Sequence, residues 1–310
     1  MKIAIIGPGA IGCLFAGLLG RAGHEVWLLD RNASRARQLA RRGVHVSGLS
    51  GEFHAAVHAT TAPEAVGGAE LALLAVKSYD TAAAAEIAKA ALSPTGAALS
   101  LQNGLGNLEI LQQVLGEGRV LGGSTAQGAT LIAPGQAHHA GTGVTVLGEP
   151  SGTISERLMS VQAAFAAAGV QTELTADLPS VLWTKLAINA GINPVATLAQ
   201  VRNGGIMESA HLRQVLRLAV TEVVQVAERE GIRFPHADLV SHTEEVCQRT
   251  ANNVNSMLQD VRRQRRTEVE AINGAVVRHG AANDVPTPTN AVLAALIHGI
   301  EETYSARRSS

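Results

Sequence analysis

The sequence predicts an α/β protein in which a doubly wound parallel sheet is followed by an all-helical C-terminal domain. Three observations predict it. Short apolar runs in the first half alternate with helical patterns, a glycine-rich turn joins the first run to the first helix, and strand-like patterning stops near Asp177.

Taken in order, Lys2–Ile6 (KIAII) is the continuous apolar run of a strand buried on both faces. Gly7-Pro8-Gly9-Ala10-Ile11-Gly12 then opens a helical pattern reaching Gly20. Glu25–Leu29 (EVWLL) predicts a second strand ending at Asp30-Arg31, and Ser34–Arg42 an arginine-rich helix. Val44–Val57 alternates around glycines and predicts a hairpin-like excursion. Leu71–Val76 and Ala97–Leu101 predict buried strands, with an alanine-rich helix at Thr81–Ala91 between them. Residues 119–147 carry short runs punctuated by Gly and Pro, the pattern of strands and tight turns. A helix over 155–168 and a strand over 170–174 complete this half. Helical periodicity then dominates near 178–190, 208–230, 237–250, 257–280 and 288–304, and the tail Arg307–Ser310 is expected to fray.

Composition excludes several classes. At 310 residues, with 46% hydrophobic and 16% charged residues, the chain can build two cores and is too apolar for disorder. A net charge of −1, with both signs mixed along the chain, gives no footprint for nucleic acid or anionic lipid. The two cysteines, Cys13 and Cys247, lack metal spacing and argue for a reducing compartment. The eleven histidines are scattered; His54 and His58 lie in an alternating segment, and His138 and His139 would point to opposite faces of a strand. No metal site is expected. Lys2 and the apolar run through Cys13 superficially resemble a lipoprotein signal, but Gly7-Pro8-Gly9 breaks the run and cleavage would remove the first strand. No stretch reaches the roughly 18 apolar residues of a membrane span, so the expected location is cytoplasmic.

Glycines at 7, 9 and 12 are a weak signal alone. Here they follow a strand, open a helix and precede a second strand ending in an acid, which is the context of a Rossmann-type dinucleotide site. Gly7 permits the tight turn, Gly9 lets backbone approach a pyrophosphate, and Gly12 lets helix and strand pack closely. Free N–H groups at the helix start then face phosphate oxygens. Asp30 and Arg31 pull in opposite directions: a carboxylate accepts from ribose hydroxyls and favours NAD, whereas a guanidinium pairs with the 2′-phosphate of NADP. NADP is the preferred reading and Asp30 keeps NAD open; a solvated loop charge is the plain alternative for each.

Hydride transfer to a carbonyl needs a donor that polarises and then protonates the oxygen. With tyrosine at 79 and 304 and Ala83 four residues after the first, a Tyr-x-x-x-Lys dyad is absent, and a catalytic zinc lacks its cysteines. Lys185, Asn189 and Asn193 are spaced by four and share one helix face among Leu182, Trp183, Leu186, Ile188 and Ile192. A narrow polar stripe on an apolar helix suggests a cleft lining, with a solvated helix edge as the alternative. Asn253 and Ser256 precede a helix expected to contain Asp260, Arg262 and Glu268; Ser256 could be its cap, and Glu268 and Glu270 plain surface charges.

Together these motifs resemble the ketopantoate reductase (2-dehydropantoate 2-reductase) family. The resemblance runs from Lys2 to about Tyr304, through Gly-x-Gly-Ala-x-Gly at 7–12, Val-Lys at 76–77, Gln-Asn-Gly at 102–104 and Trp-x-Lys-Leu-Ala-x-Asn-x-x-Ile-Asn-Pro at 183–194. It continues through Asn203-Gly204, Ser-Met-x-Gln-Asp at 256–260 and Thr-Glu-x-x-x-Ile-Asn-Gly at 267–274. It implies Lys185 as general acid, with Asn189, Asn193, Asn203, Asn253 and Ser256 holding substrate. It also implies that Glu268 helps complete the catalytic site, touching cofactor or substrate, and that Lys77, Asn103, Gly128 and Arg31 meet the cofactor, Arg31 at its 2′-phosphate. Pro8, Ala10 and Ile11 belong to the same cofactor loop.

The implied activity is reduction of 2-dehydropantoate to (R)-pantoate by NADPH, a step towards pantothenate and coenzyme A. The implied organisation is a dinucleotide-binding domain over 1–175 and a helical substrate-binding and catalytic domain over 176–310. The expected partner is a small 2-oxo acid, not nucleic acid or membrane, and the chain fits either a monomer or a homodimer. A reductase of another 2-oxo or 3-hydroxy acid, or a non-catalytic NAD(P)H sensor, would share the fold.

Overall fold

The computed structural model describes residues 1–307, so the expected fraying of the tail concerns residues of which 308–310 lie outside the described ones. The first half contains β1 (Lys2–Ile6), α1 (Ala10–Arg21), β2 (Glu25–Leu29), α2 (Ala33–Arg42), β3 (Val44–Gly48), β4 (Phe53–Ala55), β5 (His58–Thr60) and β6 (Ala69–Leu74). It continues with α3 (Thr81–Ala91), β7 (Leu92–Ser100), α4 (Asn107–Leu115), β8 (Val120–Thr125), β9 (Gly128–Ala133), β10 (Gln136–Gly141), β11 (Thr145–Gly148), α5 (Glu156–Ala167) and β12 (Thr172–Thr175). Residues 1–102 and 107–178 form one compact unit, and 103–106 with 179–310 form a second.

In the first unit an eight-stranded sheet runs in the order β12-β11-β8-β7-β6-β1-β2-β5. Its pairs are parallel except β8 with β11. Because side chains alternate across a strand, Ile3 and Ile5 join one core with Leu14 and Phe15 of α1 and Phe165 of α5. Ala4 and Ile6 face the other way, onto Ala84, Ala85 and Ala88 of α3 and Leu111 of α4. Two-sided burial explains why these strands read as unbroken apolar runs. The order reverses at β1, which lies between β2 and β6, and the crevice at such a switch point is where this class of sheet binds ligands.

The predicted hairpin forms as antiparallel β3 and β4. It belongs to a second sheet of order β4-β3-β10-β9 that packs on α1. The approach is close: a Cβ on Gly17 would lie 2.4 Å from Val46 Cγ2. Two elements differ from expectation. The strand expected from Ala97 begins at Leu92, its irregular start held by Arg119 donating to Gly96 O and Ser93 O at 2.9 and 2.7 Å. The helix α4 was not expected at all, although Leu108, Leu111 and Leu115 carry helical spacing.

Among its described residues the second unit contains helices and no strand: α6 (Leu178–Ala199), α7 (Asn203–Met207), α8 (Ala210–Arg229), α9 (Leu239–Arg249), α10 (Ser256–Arg262), α11 (Asn273–Ala282), α12 (Pro288–Glu302) and α13 (Tyr304–Arg307). Leu186, Ala187 and Ala190 of α6 meet Leu216, Val220 and Val223 of α8 in its core. Gly191 permits that approach, since a Cβ there would lie 2.7 Å from Val220 Cγ2. The single helix expected over 257–280 is two, α10 and α11. Between them Gln264 is left-handed (φ 51°), four arginines at 262, 263, 265 and 266 crowd one turn, and Glu301 takes the Thr267 N–H at 2.7 Å. Glu268 therefore sits in the break and not on a helix. Asn255, not Ser256, caps α10, its side chain accepting from Leu258 N at 2.9 Å.

Candidate active site

The candidate nucleotide site of the first unit is made of backbone. Gly7 is left-handed (φ 98°), donates its N–H to Leu29 O at 3.1 Å, and would place a Cβ 2.6 Å from Val76 Cγ1. A Cβ on Gly12 would lie 2.1 Å from Gly7 O, so the helix can leave the strand at this angle only with glycine. Gly9 differs from both. Its φ is ordinary, and a Cβ there would meet nothing nearer than Ala75 O at 3.9 Å, so its missing side chain leaves space in front of the loop. Gly9 also occupies the N-cap of α1 without a capping side chain, and no acid stands in the first turn. Pro8, Ala10 and Ile11 complete the turn. Open N–H groups, room for a phosphate and a location at the switch point fit a dinucleotide's pyrophosphate.

Other predicted cofactor residues lie around the carboxyl ends of these strands. Arg31 follows β2 and is exposed, its Nη1 3.8 Å from Asp80 Oδ2. Asp30 beside it is buried and bonded to Arg35. Lys77 is half-buried after β6, and Gly128 opens β9 three residues beyond the end of β8. Asn103, also expected here, belongs instead to the second unit, where Leu105 N bonds Ala271 O at 3.0 Å.

The candidate site of the second unit is made of side chains. Asn189 of α6 donates through Nδ2 to Asn103 Oδ1 at 3.2 Å, and Asn103 Nδ2 donates to Glu268 Oε2 at 3.3 Å. Three predicted residues, 79 or more positions apart in the chain, thus meet in one hydrogen-bonded relay. Asn189, Asn193 and Glu268 are buried and Lys185 is half-buried one turn before Asn189. Burial pushes the Lys185 ammonium below the usual lysine range. A lysine so placed holds its proton less tightly and is a better general acid near neutral pH.

Asn203, Asn253 and Ser256 stand differently. Asn203 N donates to Asn253 O at 3.1 Å, its Nδ2 donates to Thr250 Oγ1 at 2.9 Å, and Cys247 Sγ donates to its carbonyl at 2.9 Å. Asn203 thus pins the segment leading into α10, while Asn253 and Ser256 are exposed. Burial raises the thiols of Cys13 and Cys247 to about 12 and about 11, so neither is a thiolate nucleophile at neutral pH. Among the described residues no cluster of His, Cys, Asp or Glu has metal-binding geometry, and no helix is long and apolar enough to cross a membrane.

One residue that supports the site carried no assigned role in the sequence. Pro194 lies inside α6 and, lacking an N–H, leaves the Ala190 carbonyl without its helical donor. Asn273 Nδ2 supplies it at 3.1 Å. Asn273 is itself held by Asn290 Oδ1 at 2.9 Å, and Asn290 donates to Glu222 Oε2 at 2.7 Å. The signal was present, in a proline inside a helical pattern and an asparagine within Ile272-Asn273-Gly274, but only the fold joins them.

Comparison with known proteins covers both units. Residues 3–152 match the family model described as ketopantoate reductase PanE/ApbA, and residues 177–301 match its C-terminal counterpart. A 2-dehydropantoate 2-reductase of Halobacterium salinarum is 38% identical over 300 residues, covering 96% of this chain and 98% of that protein. The crystal structure of a PanE/ApbA family ketopantoate reductase from Ralstonia eutropha superposes with a TM-score of 0.89 at 34% identity, covering 98% of this chain and 99% of that one. A D-mandelate dehydrogenase solved with NADH and anilino(oxo)acetate superposes with a TM-score of 0.90 at 25% identity, with coverage of 98% and 99%. The chain belongs to the ketopantoate reductase family and is an NAD(P)-dependent oxidoreductase acting on a keto group.

Proposed function

We propose that the chain reduces 2-dehydropantoate to (R)-pantoate with NADPH, as a step towards pantothenate and coenzyme A. The observation that carries this reading is a half-buried lysine one helical turn from the Asn189–Asn103–Glu268 relay, in a chain similar over nearly its whole length to 2-dehydropantoate 2-reductases.

A reduced nicotinamide, when held at the glycine turn of residues 7–12, would supply the hydride for the keto carbon. Lys185 hydrogen-bonds the keto oxygen through Nζ, stabilises the negative charge developing there and donates the proton that completes the hydroxyl. It regains that proton from solvent. Asn189 and Asn193 offer carboxamides to the substrate's carboxylate and hydroxyl, and Asn103 and Glu268 fix Asn189 in orientation. Asn253 and Ser256, both exposed, are free to turn towards substrate, and Asn203 holds the segment that carries them. The division of labour is a dinucleotide-binding N-terminal domain and a helical domain bearing the acid and the substrate contacts. Lys77, Gly128 and Arg31 bind the dinucleotide.

The test follows NADPH and NADH consumption by purified protein with 2-dehydropantoate and a panel of other 2-oxo acids. Turnover fastest with NADPH and 2-dehydropantoate is expected. A clear preference for another 2-oxo acid would favour the second reading, which the D-mandelate dehydrogenase likeness supports: a reductase of a different 2-oxo acid on the same plan.

A further inference from the structure

At the end of β2 the chain sets an acid beside a base, and the two call for different dinucleotides. The structure treats them unequally. The Asp30 side chain is 1% exposed, while that of Arg31 is 84% exposed. Both oxygens of Asp30 are engaged: Oδ1 accepts from Asn32 N at 2.9 Å and from Arg35 Nη2 at 2.6 Å, and Oδ2 accepts from Arg35 Nε. The fork is delivered by a capped helix, since Asn32 Oδ1 accepts from Arg35 N at 2.9 Å at the start of α2. Asp30 N is meanwhile bonded to Thr60 O at 3.1 Å, which ties the acid to the sheet. The carboxylate raises the affinity of the Arg35 guanidinium for its proton, as a two-point ion pair requires.

We propose that Arg35 is a dinucleotide-selectivity residue that acts through Asp30. By neutralising the carboxylate it removes the charge that a 2′-phosphate would meet beside Arg31, and it occupies the acceptor that unphosphorylated ribose hydroxyls would use. The inference rests on the reading of the chain as an NADPH enzyme, but it concerns the balance between the two dinucleotides and needs no keto substrate. Arg31 attracts the phosphate; Arg35 silences the residue that would repel it.

The experiment titrates substrate-free protein with NADPH and with NADH and reads nicotinamide fluorescence. Wild-type preference for NADPH tests the underlying reading; a wild-type preference for NADH overturns that reading and this inference with it. Arg35→Met keeps the aliphatic stem and removes the fork. It is expected to weaken NADPH binding about tenfold or more and to leave NADH binding equal or tighter, which also shows an intact site. Adding Asp30→Asn to Arg35→Met removes the released charge and is expected to restore NADPH affinity to within about threefold of wild type. NADPH binding that stays weak in the double variant would mean that Arg35 holds the phosphate itself, and would overturn the inference. So would an unchanged NADPH-to-NADH ratio in Arg35→Met. Should Arg35→Met fail to fold, Asp30→Asn alone decides. Unchanged or tighter NADPH binding with unchanged NADH binding supports masking, and a tenfold loss of NADH affinity shows Asp30 serving the ribose and overturns it.

Discussion

Each unit carries its own candidate site, and the two are built from different materials. In the first, the groups offered to a ligand are backbone N–H donors, and the sequence's contribution is to remove side chains at Gly7, Gly9 and Gly12. In the second, the groups are an ammonium, carboxamides and a carboxylate, and Asn189, Asn103 and Glu268 are linked side chain to side chain across long stretches of sequence. A backbone site tolerates nothing added; a side-chain site tolerates nothing removed. That contrast decides what a mutation does in each unit, and the largest effect is expected where chemistry depends on one group.

Lys185→Ala should lower kcat about a thousandfold, within the 10²–10⁴ range of a lost general acid, while dinucleotide affinity stays within about twofold. Loss of dinucleotide binding in this variant would break the proposed separation of roles. The pH profile sharpens the same point. In the proposed mechanism Lys185 acts in its protonated form, and burial lowers its pKa, so kcat/KM should fall as pH rises through a value below the ordinary lysine range. Lys185→Ala should lack that limb; a limb that persists belongs to another group.

Gly12→Val tests the opposite material. A side chain starting 2.1 Å from Gly7 O forces the helix away from the strand, and about a hundredfold loss of dinucleotide affinity is expected. Retained affinity, measured by nicotinamide fluorescence, would show that the close helix–strand packing is not what holds the ligand.

The same contrast explains what was legible. Gly7, Gly9 and Gly12 announce themselves because a backbone turn is local, and α1 and β1 follow from it. Lys185, Asn189 and Asn193 were visible as a stripe because one helix carries all three. The Asn103–Glu268 partnership was not visible in spacing, since a strand-end loop and a break between helices meet only in three dimensions. The break itself was missed because 257–280 keeps helical patterning through it, and the Glu301 carboxylate that takes the Thr267 N–H lies 34 residues away. Asp30 and Arg31 were legible as a conflict, whereas Arg35, proposed above as its arbiter, stood in the arginine-rich helix with nothing to set it apart from its neighbours.

Ion pairs of the helical unit give a smaller, pH-dependent effect. Glu244 is buried and accepts from Arg213 Nε and Nη2 at 2.7 and 2.6 Å and from Arg217 Nε at 2.5 Å. These arginines lower its carboxyl from 4.5 to about 2. A depressed carboxylate stabilises the fold above its unfolded value, so this contribution should be complete near neutrality and disappear as pH falls from about 4.5 to about 2. Glu244→Gln should cost about 2 kcal/mol at pH 7, discounted because both arginines are half-exposed, and should flatten the acid limb of a stability–pH curve. An unaltered limb would assign acid sensitivity to other carboxylates.

The smallest effect, a coupling read from a double-mutant cycle, probes whether a side chain can stand in for a backbone donor. Asn273→Ala leaves the Ala190 carbonyl, orphaned by Pro194, without its donor inside the core, a loss worth about 1–3 kcal/mol in chemical denaturation. Pro194→Ala restores an N–H to the helix at the position that would serve the same carbonyl. If the two features form one device, Asn273→Ala should cost measurably less in the Pro194→Ala background, with a coupling of about 1 kcal/mol in the double-mutant cycle. The kinetic readout separates this from general loosening. Lys185 and Asn189 precede the proline on α6 and Asn193 adjoins it, so a disturbed helix should raise KM for the keto acid more than KM for the dinucleotide, and Asn273→Gln should not rescue it if its longer side chain cannot reach Ala190 without displacing Asn290. Strict additivity of the two substitutions would show that Pro194 and Asn273 serve α6 independently, leaving the carbonyl's hydrogen bond a coincidence of packing.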